Sequence, residues 1–106
     1  MSLAGPLRIL IVDDEPAILR FLKPGLTAEG YLVSEARDGR TALEAIRRKT
    51  ADLVVLDLGL PDIDGLDVVR QVRARGDTLP IIVLSSRLAR SLGERAARKA
   101  AISTKP

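Results

Sequence analysis

The sequence predicts an α/β fold, an open, doubly wound parallel sheet with helices on both faces. Three short runs, Ile9-Leu10-Ile11-Val12, Leu53-Val54-Val55-Leu56 and Ile81-Ile82-Val83-Leu84, are apolar at every position. Strands buried on both faces read this way, whereas strands with one wet face alternate. Longer amphipathic stretches separate the runs in the order β-α-β-α-β-α-β, which implies right-handed crossovers between parallel strands. The length, 106 residues with 46% apolar and 29% charged side chains, suits one globular domain. Ligands of such sheets sit beyond the carboxyl ends of the strands, where the strand order reverses.

Each element has its own signal. Arg8 to Val12 reads as a buried strand that ends at Asp13-Asp14. Pro16 suits a first helical position, with Asp14 or Glu15 as cap, and Ile18, Leu19, Phe21, Leu22 and Leu26 give that helix its apolar face. Pro24-Gly25 conflicts with it, because proline removes a helix hydrogen bond. Leu32 to Ala36 is a shorter strand, followed by an Asp38-Gly39 turn and a helix from Thr41 to Lys49. Leu53 to Leu56 is the next buried strand and ends on Asp57; 61–65 is a loop, and Leu66 to Arg75 a helix with Leu66, Val69 and Val72 inward. Ile81 to Leu84 is a strand that ends in Ser85-Ser86. Leu88, Leu92, Ala96 and Ala100 fall four apart, as in a thinly apolar helix, and Ile102-Ser103-Thr104 suits a short fifth strand. Asp62, Asp64 and Asp67 are expected to be solvated loop and helix-start acids.

Composition removes several classes of chemistry. With no Cys there are no disulfides, thiolate zinc sites or thiol catalysis, and with no His the commonest general base and transition-metal ligand are missing. Phe21 and Tyr31 are the only aromatics, too few for a base-stacking surface. No apolar run approaches the ~20 residues of a membrane span, and no export signal opens the chain. The net charge of +3 is uneven. Residues 1–86 carry 11 basic and 13 acidic side chains, and residues 87–106 carry six basic and one acidic. The basic character therefore belongs to the last fifth of the chain and does not mark the whole as nucleic-acid-binding.

Three of the long strands end in polar groups: Asp13-Asp14, Asp57 and Ser85. In the doubly wound fold these meet at one edge. Crowded carboxylates repel one another unless a cation joins them, and an all-oxygen set suits a hard divalent ion, most simply Mg2+. Ser85 adds a hydroxyl, and Lys105 a point charge if the last strand pairs beside Ile81–Leu84. Together they make a site for a phosphoryl group, with an aspartate able to serve as nucleophile.

These residues resemble the receiver domain of bacterial two-component response regulators. The likeness is carried by 9–15 (Ile-Leu-Ile-Val-Asp-Asp-Glu), 52–61 (Asp-Leu-Val-Val-Leu-Asp-Leu-Gly-Leu-Pro), Asp64-Gly65, 81–87 (Ile-Ile-Val-Leu-Ser-Ser-Arg) and Lys105-Pro106. The Leu-Asp-Leu-Gly-Leu-Pro stretch is similar to regulators of the potassium-uptake (Kdp) type. The resemblance implies a flavodoxin-like five-stranded sheet in the order 2-1-3-4-5, one receiver domain over 1–106 with 1–6 outside the fold, and a last helix and any effector domain absent from this chain. It implies Asp57 as phosphoacceptor, and Asp14, Asp57 and the Gly59 carbonyl as Mg2+ ligands, with Asp13 acting through a bound water. Ser85 would move to the phosphoryl group and Lys105 would pair with it. The expected partner is a sensor histidine kinase in the cytoplasm, with DNA reached only through an effector domain and no membrane contact. The chain would not be an enzyme beyond catalysing its own Mg2+-dependent phosphorylation and dephosphorylation.

Residues 87–104 depart from that pattern. They are basic where the family is acidic, and Ile102 stands where an aromatic is usual. A missing last helix is expected to leave a sheet face bare beside the first helix, and a second copy, as a homodimer, is one way of covering it. An alternative reading is a divergent receiver-fold interaction module that does not use regulated phosphorylation. A phosphohydrolase with an aspartate nucleophile is disfavoured, because the second Asp it needs two residues later is Gly59. Flavin binding lacks an aromatic platform.

Overall fold

The structure, a computed structural model, describes residues 5–84 and the backbone of 102–105. In chain order the elements are β1 (Arg8–Val12), α1 (Pro16–Ala28), β2 (Leu32–Ala36), α2 (Gly39–Arg47), β3 (Leu53–Asp57), α3 (Gly65–Ala74), β4 (Ile81–Leu84) and β5 (Ile102–Lys105). They form one sheet in the order β2-β1-β3-β4-β5. The pairs β1–β2, β1–β3 and β3–β4 are parallel, as the uninterrupted apolar runs require.

Side chains alternate across the strands, and two cores result. Leu10, Val12, Val54, Leu56 and Ile81 meet Ala42, Ile46, Val68 and Val72 under α2 and α3. Ile9, Ile11, Val55 and Leu84 meet Leu19, Ile18, Leu22 and Leu26 under α1. On the face beside α1, Ile9, Ile11, Val55 and Leu84 are at most 7% exposed, and Leu53 and Ile82 are half-buried. Helix α1 runs through Pro24 without ending.

Helices α2 and α3 are capped by aspartates. Asp38 accepts from Thr41 N at 2.7 Å, and Asp64 accepts from Leu66 N at 2.9 Å. Both helices run against the strands, so their N-termini stand at the carboxyl edge of the sheet. Their far ends carry Arg47, Arg48 and Lys49, and Arg73 and Arg75, where cations complement the helix dipole.

The fifth strand differs from the expected direction. β5 lies beside β4, as expected, but antiparallel to it. Strand direction is set by the connection that delivers the strand, and a parallel neighbour needs a full crossover. That connection, 85–101, contains most of the stretch, 87–104, that departs from the family pattern. It lies outside the described residues, as does the helix expected from Leu88 to Ala100.

Candidate functional site

The carboxyl edge of the two central strands builds the site. β1 and β3 are neighbours, and Val12 pairs with Leu56. The next residues on the two strands, Asp13 and Asp57, therefore stand side by side, about 5 Å apart across the ladder. Both continue the row of side chains that faces α1. Asp13 N–H donates to the Ala36 carbonyl at 3.0 Å, which fixes this strand end to β2 as well. Asp13 Oδ1 accepts from Glu15 N at 2.8 Å and turns the chain into α1.

Asp13 and Asp57 are 0% and 1% exposed, and Asp14 is exposed. One carboxylate oxygen from each of the three lies within 4.8 Å of the others. Burial pushes the Asp13 carboxyl up to about 7; the Glu15 N–H opposes this, and the charges of Asp57, Asp14 and Glu15 add to it. Asp13 Oδ2 is buried and accepts no hydrogen bond. A buried carboxylate oxygen left so is costly, and a hard cation removes the cost, either by taking the oxygen as ligand or through a water bound to the ion. The residues present thus fit a divalent ion bound by oxygen.

The loop from Leu58 to Asp64 closes back on the strand end. Gly65 N–H donates to the Leu58 carbonyl at 3.0 Å. A Cβ on Gly65 would lie 2.6 Å from the Asp57 carbonyl oxygen and 2.7 Å from Leu58 Cα, so glycine is required by close approach. Gly59, exposed, lies near Asp57: a Cβ there would be 3.8 Å from Asp57 Oδ2.

Of the residues singled out in the sequence, the structure brings together Asp13, Asp14, Asp57 and Gly59. Ser85 follows Leu84, the β4 partner of Asp57, and lies outside the described residues. Lys105 is corrected. Its backbone pairs with Ile81, at the end of β4 opposite the carboxylates, about 10 Å along the strand from the expected position. The antiparallel direction of β5 is the reason. Sequence reasoning missed Asp62, which accepts three backbone N–H bonds; nothing in the local sequence separates it from a solvated acid.

A family model described as the response regulator receiver domain matches residues 9–104. The chain belongs to the response regulator receiver domain family. This receiver domain is 50% identical over 82 residues to the response regulator MprA of Mycolicibacterium vanbaalenii, a match that covers 77% of this chain. It spans about a third, 36%, of that relative's length. It is similar to the structure of the response regulator protein TrrA from Thermotoga maritima in complex with Mg2+–BeF, with 39% identity, a TM-score of 0.71, and coverage of 86% of this chain and 80% of that one. A structure of the histidine kinase ThkA in complex with TrrA matches at 42% identity and a TM-score of 0.69, over 74% of this chain and 68% of that one. The likeness to the potassium-uptake subgroup stays at the level of the 56–61 stretch. Among the described residues no helix is long and apolar enough to cross a membrane.

Proposed function

We propose that the chain is a phosphoacceptor switch of a two-component system, in which Asp57 takes a phosphoryl group from a sensor histidine kinase in the cytoplasm. The observation that carries the reading is the meeting of Asp13, Asp14 and Asp57 at the carboxyl edge, with Asp13 Oδ2 buried and lacking a hydrogen bond. Within it, Asp14, Asp57 and the Gly59 carbonyl would hold Mg2+, and Asp13 would act through a water bound there. The metal, when bound, neutralises charge on the phosphoryl oxygens. An Asp57 oxygen attacks phosphorus, the bond from phosphorus to the donor breaks, and the donor's imidazole or acetate leaves with the electron pair. Hydrolysis reverses the state, as water takes the phosphoryl group and the carboxylate is restored. Both steps are the chain's own catalysis, and turnover of an external substrate is no part of its role. Ser85 is assigned the hydroxyl that meets the phosphoryl group. TrrA, which binds Mg2+–BeF and a histidine kinase in the structures named above, supports the metal and the partner. The output passes to a DNA-binding effector domain outside this chain, in keeping with the greater length of the MprA relative.

A second reading, a receiver-fold interaction module without regulated phosphorylation, is favoured by the register that carries Lys105 away from the site. Mass spectrometry after incubation with Mg2+ and acetyl phosphate separates the two. One phosphoryl adduct, lost in Asp57→Ala and without Mg2+, is expected. The absence of an adduct on the unaltered chain would establish the interaction module instead.

A further inference from the structure

We propose that Asp62 is a positioning residue for the carboxylate site, tying the β3–α3 loop to the first turn of α2 so that metal binding is felt at α2. The inference rests on the phosphoacceptor reading above. The loop leaves Asp57, carries Gly59, and returns at Gly65, where the Gly65 N–H to Leu58 carbonyl bond and the lack of room for a Cβ pin both of its ends. Its middle is held elsewhere. Asp62 Oδ1 accepts from Gly39 N at 2.7 Å and from Ile63 N at 2.8 Å, while Oδ2 accepts from Arg40 N at 3.0 Å. The Gly39 N–H, above all, holds the Asp62 carboxyl below its ordinary value.

The contact has no slack. A Cβ on Gly39 would lie 2.9 Å from Ile63 Cβ and 3.3 Å from Val68 Cγ2. Ile63 itself packs on the core under α2 and α3. Nor is Asp62 needed as the helix cap, because α2 already has Asp38 on Thr41 N. What Asp62 adds is a link across more than twenty residues between the loop bearing Gly59 and the start of a neighbouring helix. A shift of Gly59 towards a bound ion pulls on Gly39 and Arg40 through one rigid carboxylate.

The test compares Asp62→Ala with Asp38→Ala in the 106-residue chain. Both remove an acid at the α2 N-terminus, and only the first cuts the link to the loop. Mg2+ is titrated while the Gly39 and Arg40 amide resonances are followed, and phosphoryl uptake from acetyl phosphate is measured in parallel. In the unaltered chain both amides shift with Mg2+. In Asp62→Ala those shifts disappear and the Mg2+ Kd rises about tenfold, the scale expected when a support of a metal ligand is removed. In Asp38→Ala the shifts persist and the Kd stays within about twofold. Asp62→Asn keeps an oxygen for Gly39 and Ile63, retains the fold, and gives an intermediate Kd. Equal behaviour of Asp62→Ala and Asp38→Ala, or Mg2+ binding that leaves Gly39 and Arg40 unmoved in the unaltered chain, overturns the link alone. An unaltered chain that takes up neither Mg2+ nor phosphoryl group overturns the phosphoacceptor reading and the link with it.

Discussion

Asp13 shows how a single residue is kept in an unfavourable place. Its side chain is fully buried beside Asp57 at the end of an apolar strand, and only one of its oxygens is hydrogen-bonded. Replacing it by Asn keeps an acceptor for Glu15 N and removes the buried charge. Without divalent ions at neutral pH, Asp13→Asn should therefore be more stable than the unaltered chain by on the order of 2 kcal/mol, read from urea midpoints. It should also lose most of the rise in Tm that Mg2+ gives the unaltered chain, since a ligand stabilises only the state that binds it. A less stable Asp13→Asn in metal-free buffer would show that the charge is compensated. This strand-end pair was legible in the sequence, because an apolar run that stops on a carboxylate exposes that carboxylate's position. Asp62 was not legible, because its partners are backbone groups some twenty residues away, and a backbone N–H carries no sequence signal.

Among the elements, β1, β3 and β4 fall where the three apolar runs fall, each within one residue of its run, and β2, which carries Ser34 and Glu35, is the edge strand of the parallel set. The helix starts are less legible. Thr41 and Leu66 read as the first residues of their helices, yet α2 begins at Gly39 and α3 at Gly65. In both cases the cap is the aspartate just before a glycine, and glycine's low helix propensity hides the first turn. The glycines are there for close approach. Gly65→Ala places a methyl group against backbone atoms of Asp57 and Leu58, so it should lower stability by about 1–3 kcal/mol at an unchanged urea m-value. It should also weaken Mg2+ binding, because relief of the contact moves the loop. Retained stability with full Mg2+ affinity would show that the strand end yields freely. The direction of β5 is a failure of another kind. An apolar run identifies a strand but not its sense, which depends on the connection that precedes it.

On the scale of the whole molecule, the exposed carboxylates set the response to acid. The Arg8 guanidinium holds the Asp52 carboxyl below its ordinary value, Arg47 and Arg48 do the same for Glu44, and backbone N–H groups do so for Asp62. A carboxyl lowered on folding contributes stability above its unfolded value, and that contribution is lost as pH falls through the folded value. Urea midpoints should therefore decline below about pH 4, and the decline should shrink in about 1 M salt, which screens exposed pairs. Between about pH 7 and 4 protonation of Asp13, which burial holds up at about 7, works the other way and raises the midpoint, so the contradicting result is a midpoint that rises as pH falls below about 4.

The charges at the two ends of α2 and α3 have a consequence for encounters in solution. Among the described residues, Asp13, Asp14, Asp57, Asp38 and Asp64 outnumber Arg37 and Arg40 at one edge, while Arg47, Arg48, Lys49, Arg73 and Arg75 outnumber Glu44, Asp52 and Asp77 towards the other. A body charged in this way feels a torque in an external field even where the net force is small. A highly charged partner that comes within about 10 Å turns the molecule before touching it, so the face presented at first contact is selected and not drawn at random.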